Sequence, residues 1–388
     1  MNICINCYYK SNINELIKCI SSLFLNPNHE EINKNLEIKS EFYDQIDKKI
    51  EDQLKTYKKY SICYGAFMNR LKNCDTKFTS INECLTTCIK QFNFRLIRKP
   101  KTKFNIVLQV DCLGDTIVPN FEYFYNTMDF NHFLEIVMWN FNITKKEYMD
   151  QFGGKSLDYN RPNKYFNYST ARQNENFKTI AKKYFETEFK NKSEFGNKIK
   201  IIYEELKDLS KKIGFNVILR GSKYHTSLTI NRNYCMSHTN GNWTKFLDDD
   251  DLSCSLNSLE NCLRLISKFN VKKNQIACFN PFNITNFDAA YISTFTQLII
   301  GPNIKYPYTK IKYVEGEDWV FCHKNKDDII GINTHVPIYY RFKANKTCST
   351  PFDNGLYDIN KRYFKEDKSE TPNYFGFEFD DKIEFITI

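Results

Sequence analysis

Short apolar runs alternate with amphipathic stretches from about residue 104 onward. Helical spacing predicts helices in VPNFEYFYNTM and, inside the polar stretch 144–213, in KTIAKKYFETEF and KIKIIYEELKDLSKKI. Buried strands are predicted for four apolar runs: FNIVLQVD at 104–111, HFLEIVMWNFN at 132–142, FNVILR at 215–220 and NWTKFL at 242–247. Strands that alternate with helices predict an α/β domain with a mostly parallel sheet flanked by helices.

The first hundred residues show a different pattern. EFYDQIDKKIEDQLKTYKKYSICYGAF has apolar residues at helical spacing between charges, and SINECLTTCIKQF begins with a capping serine, Ser80. Residues 1–100 are therefore predicted to be a mainly helical, Cys-rich region. The basic segment RKPKTK then marks a boundary, followed by a domain over 101–350 and a C-terminal extension over 351–388.

Seven of the 14 cysteines precede residue 89. Cys4-x-x-Cys7 and Cys84-x-x-x-Cys88 have a spacing at which two thiolate pairs can share a tetrahedral zinc ion. The alternative, which we favour, is that cysteines in helical stretches act as small buried hydrophobic residues.

Composition and charge narrow the range of functions only slightly. The chain has 388 residues, 41% of them hydrophobic, which is enough for a packed core. Its net charge of +9 suits an anionic ligand without specifying one. The sequence starts without a secretory signal pattern, and no apolar run approaches the ~18 residues that cross a bilayer. We therefore expect a cytoplasmic protein without a transmembrane segment, whose cysteines are mostly reduced.

Four consecutive carboxylates, Asp248 to Asp251, follow the predicted strand NWTKFL. Acidic runs are often solvated loops, but ligands of open α/β sheets bind beyond the carboxyl ends of the strands. Acids at such a place need cations to offset their mutual repulsion. Carboxylate oxygens on a short loop suit Mg²⁺ or Mn²⁺, which in turn bridge phosphate oxygens.

The segment NRNYCMSHTNGNWTKFLDDDD at 231–251 resembles the inverting family 2 glycosyltransferases of GT-A fold. The corresponding segment of that family has the pattern A-R-N-x-G-[apolar]-x-x-A-x-G-x-[aromatic]-[apolar]-x-F-L-D-x-D-D. The matching residues are Arg232, Asn233, Gly241, Trp243, Phe246, Leu247, Asp248, Asp250 and Asp251. Cys235 stands where the family has a glycine, and Thr239 where it has an alanine.

A second match lies downstream. The family's G-E-D-W-x-F segment corresponds to Gly316–Phe321, and VPIYYRFKANKTCS at 336–349 resembles its closing Pro-[apolar]-Tyr-x-Tyr-Arg stretch. The resemblance covers about residues 104–350, with 144–213 as an insertion. MNICINCYYKSNINELIKCISSLF also resembles the family's opening strand and helix, an alternative that we rank second because it requires a longer insertion.

The resemblance implies a metal-dependent hexosyltransferase that moves a sugar from a nucleotide-sugar, expected to be a UDP-sugar, to the hydroxyl of a glycan or other acceptor with inversion. Mn²⁺ or Mg²⁺, held by Asp248 and Asp250, stabilises the leaving diphosphate. Asp318, or its neighbour Glu317, is the implied base, and Trp319 is placed to stack on the acceptor sugar. The residues implied in nucleotide-sugar binding are Asp111, Asn140, Arg232, Asp248 and Asp249. In the family, an Asp after the second strand usually recognises the base of the nucleotide. In this sequence the corresponding segment offers Asn140 or Asn142 instead.

Two other functions remain open from the sequence. Gly221-Ser222 in LRGSKYH resembles the Gly-Ser pair of nucleotidyltransferases such as RNA-tailing polymerases, although 26 residues separate Ser222 from Asp248. That alternative leaves the GEDW segment unexplained, and we expect no nucleic-acid partner. A non-enzymatic interaction protein with a GT-A-like domain is the other alternative, although neither the acids nor the base is missing.

Overall fold

The structure is a computed structural model of the chain. It describes residues 1–7, 12–27, 67, 70–110, 113, 121, 122, 125, 130–143, 147, 175–222, 228–249, 251–279, 298–304, 321, 325–332, 339, 340 and 385–388. The α-helices with assigned bounds are α1 Ile13–Ser22, α2 Ile81–Gln91, α3 Phe130–Phe141, α4 Glu175–Ile213, α5 Leu228–Ser237 and α6 Leu256–Lys268. A 3₁₀ turn covers Lys326–Asp328.

The strands in chain order are β1 Asn2–Cys7, β2 Leu25–Asn26, β3 Arg95–Leu96, β4 Asn105–Val110, β5 Asn216–Ser222, β6 Thr244–Asp248, β7 Leu252–Ser253, β8 Ile276–Phe279, β9 Leu298–Ile300, β10 Ile329–Ile332, β11 Tyr339–Tyr340 and β12 Phe385–Thr387. Eight of them form one sheet in the order β10-β8-β9-β6-β1-β4-β5-β12. Only β9 and β12 run antiparallel to their neighbours in it. The protein is thus an α/β protein with a mostly parallel sheet and flanking helices.

Both faces of the sheet are buried, as is usual for parallel strands. One face carries alternate apolar residues such as Ile3, Ile5 and Leu247, which pack in one cluster with residues of α1, α2, α4 and α6. The opposite face carries Cys4 and Phe246, which pack with residues of α5, β8 and β9. The central strands are therefore covered by helices on both sides.

A ladder of asparagine side chains fixes the register of three strands at their amino ends. Asn216 donates to Asn105 over 2.9 Å, and Asn105 donates to Asn2 over 2.8 Å. Asn2 in turn donates to the carbonyl of Thr239 over 3.0 Å. Because each amide both donates and accepts, a slip of one residue would break the whole ladder.

Three predicted strands are confirmed: the runs at 104–111, 215–220 and 242–247 overlap with β4, β5 and β6. The predicted helix at SINECLTTCIKQF is confirmed as α2, and Ser80 caps it by accepting a hydrogen bond from the amide of Glu83. The helical stretch predicted at EFYDQIDKKIEDQLKTYKKYSICYGAF lies almost wholly outside the described residues, as does most of VPNFEYFYNTM.

The prediction of a separate N-terminal region was wrong. β1 lies at the centre of the sheet, between β4 and β6, so residues 1–100 share the sheet with the expected domain 101–350. The C-terminal extension 351–388 contributes β12 at the edge beside β5. The alternative alignment, in which residues 1–24 form an opening strand and helix, agrees with β1 and α1.

The strand predicted at 132–142 was also wrong, because these residues form α3. Phe133, Ile136 and Val137 recur at helical spacing and pack against α4 in a separate small cluster. The stretch 144–213, expected to be an insertion, includes the long helix α4, whose C-terminal half packs against the sheet in the main core. Among the described residues, no helix combines the length and the apolar character that a membrane crossing requires.

Candidate functional site

The order of the parallel strands defines a switch point beside β1. From β1 the chain proceeds to β4 and β5 on one side, and then returns to place β6 on the other side of β1. In open α/β sheets, ligands bind in the crevice beyond the carboxyl ends of the strands at such a point. Asp248 is the last residue of β6 and therefore lies at this end of the sheet, next to β1. The predicted position of this acid, at the carboxyl end of a strand, is confirmed.

Polar residues form a row across the sheet near the carboxyl ends of four parallel strands. Asp248 is paired in register with Asn6 of β1, Asn6 with Gln109 of β4, and Gln109 with Arg220 of β5. Apart from Asp248 these residues are buried. Buried polar residues at neighbouring strand ends need hydrogen-bond partners, and α5 supplies several of them.

Helix α5 covers this row. The guanidinium of Arg232 lies 2.8 Å from the carboxylate of Asp248, and its carbon atom Cζ lies 5.9 Å from the centre of the Phe246 ring. The amide of Gln109 donates to Asn231 over 3.3 Å, and the Cys235 thiol donates to Gln109 over 3.3 Å. The helix is therefore tied to the sheet by polar contacts at its inner face.

The turn that precedes β6 explains a glycine of the sequence pattern. Asn240 and Gly241 both have positive φ angles, of 51° and 74°. This left-handed conformation is costly for most residues, and glycine and asparagine tolerate it best. The turn therefore lets the chain reverse between α5 and β6, which carries Arg232 and Asp248 to the same end of the sheet.

The acidic loop is held against α1. The thiol of Cys19 donates to the carbonyl of Asp248 over 3.4 Å, and the amide of Ser253 donates to Ser22 over 2.9 Å. The amide of Asp251 donates to the carbonyl of Asp248 over 3.1 Å, which closes a turn. Both Asp249 and Asp251 are buried, whereas the side chain of Asp248 is 41% exposed. The three acids that the structure describes are thus not equivalent.

A buried lysine lies beneath this loop. Lys245 is fully buried on the face of β6 opposite to Asp248, and burial lowers the pKa of its ammonium group to about 8. The carboxylate of Asp251 opposes this shift. Burial also raises the pKa of Cys254 to about 12, so this thiol is neutral at physiological pH.

Parts of the second motif lie close to the first. Phe321, the last residue of GEDWVF, is buried in the same apolar cluster as Phe246. Tyr339 and Tyr340 of the VPIYYR stretch pair as β11 with Ser253 and Leu252, directly after the acidic run. The residues implied as base, acceptor platform and second metal ligand, together with one nucleotide-binding acid, lie outside the described residues: Glu317, Asp318, Trp319, Asp250 and Asp111.

Asn140 is not where the sequence interpretation placed it. The resemblance places Asn140 at the nucleotide only if the predicted strand at 132–142 exists, because the family's base-binding Asp follows a strand. The structure places it instead at an exposed position near the end of α3. Its neighbour Trp139 packs edge-on against Tyr184 of α4, at 5.8 Å between ring centres. The premise for assigning Asn140 to the base is therefore wrong.

The zinc interpretation of the cysteines finds no support in their placement. Because side chains alternate along a strand, Cys4 and Cys7 face opposite sides of β1 and belong to different apolar clusters. Cys84 and Cys88 are buried on α2, in the cluster that also holds Cys7. Within the described part of the chain, no group of three or more Cys, His, Asp or Glu side chains could hold a metal ion.

The acids fit a divalent cation only in part. Asp248 offers a partly exposed carboxylate, and Arg232 already donates to one of its oxygens. Carboxylate oxygen is the ligand that Mg²⁺ and Mn²⁺ prefer. Asp249 and Asp251 are buried, so Asp248 is the described acid of the run whose carboxylate a cation could reach.

Sequence reasoning missed the polar row itself. Its signal was present, because Asn6, Gln109 and Arg220 each stand one or two residues before the end of a strand, at a position that alternates with apolar neighbours. A polar side chain there must enter the buried layer beneath α5.

Comparison of the chain with protein-family models, curated proteins and solved structures finds no match.

Proposed function

We propose that the protein is a metal-dependent glycosyltransferase of GT-A type, which moves a sugar from a UDP-sugar to an acceptor hydroxyl with inversion. One observation carries this proposal. Phe246 of the first motif and Phe321 of the second lie in one buried cluster on the face of the sheet that also bears Asp248. The two motifs resemble one family in sequence, and the fold brings one residue of each, Phe246 and Phe321, to one side of one sheet.

The pairing of β11 with β7 supports the same arrangement. It ties the closing stretch at Tyr339–Tyr340 to the segment that follows the acids. The closing stretch therefore lies beside the two residues that directly follow the first matched segment. The first strand of the chain, β1, lies at the centre of the sheet, which agrees with the family's opening strand.

In this proposal Asp248 and Asp250 hold Mn²⁺ or Mg²⁺, which supplies Lewis-acid stabilisation of the leaving diphosphate. Arg232 fixes the carboxylate of Asp248 and reduces its repulsion of the neighbouring acids. Asp318 takes the proton of the acceptor hydroxyl as that oxygen attacks the anomeric carbon from the face opposite the leaving group. Glu317 is the alternative base, and Trp319 would stack on the acceptor sugar.

The nucleotidyltransferase alternative is less well supported. Gly221 and Ser222 end β5, which is separated from β6 by β4 and β1, a distance of roughly 14 Å across the sheet. A Gly-Ser pair that acts with the acids would need to lie beside them. The donor-hydrolysis assay described next distinguishes the proposal from the alternative of an inactive interaction protein.

Donor hydrolysis tests the proposal. The purified protein is incubated with Mn²⁺ and a panel of UDP- and GDP-sugars, and release of the nucleoside diphosphate is measured. We expect release from at least one UDP-sugar, and its loss in the Asp250→Ala variant. Absence of release from every donor, with no UDP binding by calorimetry, would contradict the proposal.

A further inference from the structure

Helix α6 and the loop after it present positive charge to solvent. Arg264 and Lys268 stand one turn apart on the helix, and Lys272 and Lys273 follow in the loop that leads to β8. All four are exposed. The one acid of the helix, Glu260, is largely buried and lies 4.0 Å from Arg264. The exposed side of α6 is therefore basic.

The basic segment RKPKTK, residues 98–103, is bound to the start of the same helix. The amides of Lys101 and Thr102 donate to the carboxylate of Glu260 over 2.8 and 2.7 Å. These backbone contacts occupy the acid and leave the charged side chains of the segment in solvent. The exposed cations of the segment are Arg98, Lys99, Lys101 and Lys103.

Together these side chains form one surface, which we call the basic face. Its members are Arg98, Lys99, Lys101, Lys103, Arg264, Lys268, Lys272 and Lys273. Apart from the contact of Arg264 with Glu260, none of them has an ion-pair partner within the described part of the chain. Cations that cluster without acids between them create a positive potential, which attracts a polyanionic partner.

An apolar side chain stands within the basic face. Phe269 follows the last residue of α6, directly after Lys268, and is 55% exposed. Its amide donates to the carbonyl of Leu265 over 2.9 Å, which fixes the position of the ring's backbone. An exposed aromatic ring flanked by lysines is typical of membrane-surface anchors. The ring enters the head-group layer, and the ammonium groups meet anionic lipids.

The basic face lies at the end of the sheet opposite to the acids. Residues 98–103 lead into the amino end of β4, and the loop 269–275 leads into the amino end of β8. Both strands run in the same direction as β6, which ends at Asp248. A partner bound to the basic face therefore leaves the carboxyl ends of the strands free.

We propose that the basic face docks the protein on an anionic membrane surface, with Phe269 inserted among the lipid head groups. This proposal does not depend on the glycosyltransferase proposal. Six of the eight cations are lysines, whose compact charges suit a layer of lipid phosphates and carboxylates. Single-stranded nucleic acid is bound by several stacking aromatics, whereas Phe269 is the one exposed aromatic ring within 98–103 and 256–275.

Two triple variants with the same loss of charge test the proposal. The first changes the basic face: Lys268→Gln, Lys272→Gln and Lys273→Gln. The second is the control and changes three exposed lysines of α4: Lys182→Gln, Lys183→Gln and Lys190→Gln. Both are compared with Phe269→Ser and the unsubstituted protein. Co-sedimentation is measured with vesicles of phosphatidylcholine alone and of phosphatidylcholine mixed with phosphatidylserine.

The unsubstituted protein should bind the vesicles that contain phosphatidylserine and not those of phosphatidylcholine alone. The basic-face variant should bind about 100-fold more weakly, because each lysine near an anionic surface contributes severalfold. Phe269→Ser should weaken binding about tenfold, and the α4 variant should bind like the unsubstituted protein. Thermal unfolding should be nearly the same for all, since the changed side chains are exposed.

Several results would overturn the proposal. These are no binding to phosphatidylserine vesicles, equal binding by the basic-face variant, or an equal loss in the α4 variant, which would show an effect of net charge alone. Unchanged binding in Phe269→Ser would exclude insertion of the ring. Binding of single-stranded polyuridylate that is lost in the basic-face variant, without binding to vesicles, would replace the membrane by nucleic acid. UDP binding with Mn²⁺ should be unchanged in the basic-face variant, so the two proposals fail separately.

Discussion

Arg232 and Asp248 form an ion pair with a 2.8 Å contact in which the two partners differ in exposure. The arginine side chain is 3% exposed and the aspartate side chain 41%. The pair joins α5 to the last residue of β6 and so holds the first acid of the candidate site in place. The difference in exposure makes the two partners unequal in their contribution to stability.

Removing the aspartate should cost more than removing the arginine. Asp248→Ala leaves a buried guanidinium without this acceptor, and we expect a loss of about 1–3 kcal/mol in the free energy of unfolding. Arg232→Met removes the buried charge and leaves a carboxylate that water can reach, so its loss should stay below about 1 kcal/mol. Urea denaturation of both variants measures these losses. A larger loss in Arg232→Met would contradict this interpretation of the pair.

The central position of β1 predicts that a change near the amino terminus affects the whole domain. Ile5 is fully buried in the main cluster, so Ile5→Ala should cost about 2–5 kcal/mol. All three tryptophans lie beyond residue 100, so their fluorescence reports on the rest of the chain. We expect the urea transition followed by fluorescence to shift with Ile5→Ala.

The matched control is Leu96→Ala, which changes a 43% exposed residue in the same first hundred residues. It should change the free energy of unfolding by less than about 0.5 kcal/mol. A fluorescence transition that stays in place in Ile5→Ala, while circular dichroism shows a separate earlier transition, would restore a separate N-terminal region.

Some of the fold could be predicted from the sequence because the pattern was unambiguous. β4 and β6 are short apolar runs buried on both faces, which is typical of strands in a parallel sheet. The acid at the end of β6 followed from the same rule. Ser80 could be placed because a serine before an amphipathic stretch, with Glu83 three residues later, is a capping box.

Other parts could not be predicted because their pattern had two meanings. In β1 the residues Asn2 and Asn6 interrupt the apolar run, since one face of this strand meets the polar layer under α5. In α3 the run FNHFLEIVMWNF is apolar enough for a buried strand, and periodicity alone does not separate the two in short runs. The distant helix α4, which packs on Ile136 and Val137, decides the outcome.

Lys245 predicts a pH dependence of stability. Its pKa is lowered by burial to about 8 from an ordinary value of 10.5. Between these two values the unfolded chain binds the proton and the folded chain does not, so the contribution of this group to stability rises with pH. The free energy of unfolding of the unsubstituted protein, minus that of Lys245→Met, should therefore increase from pH 7 to pH 10.5.

The increase should approach ~3 kcal/mol, since each pKa unit corresponds to ~1.4 kcal/mol. Urea denaturation at several pH values measures it, and the comparison with Lys245→Met removes the contributions of all other titrating groups. The nearby thiol of Cys254, with a pKa of about 12, stays protonated over most of this range. Parallel pH profiles for the two proteins would show that Lys245 is not charged differently in the folded state.

The proposed base can be separated from its neighbour by two conservative substitutions. Asp318→Asn keeps the shape of the side chain and removes its basicity, so sugar transfer should fall by ~10²–10⁴-fold while UDP-sugar affinity persists. Glu317→Gln should retain most of the activity. Steady-state transfer rates and calorimetric donor affinities check both. Full activity in Asp318→Asn would move the role to Glu317, and full activity in both would remove the proposed mechanism.

The central claim is that the acids after β6 bind a nucleoside diphosphate through a divalent cation. Titration of the protein with UDP by calorimetry, with Mn²⁺ and again after chelation, tests it most directly. We predict binding with Mn²⁺ that is lost on chelation, and also lost with Mn²⁺ present in Asp250→Ala, because uncompensated carboxylates repel the diphosphate. UDP binding of equal strength with and without the metal, or in Asp250→Ala, would contradict the account.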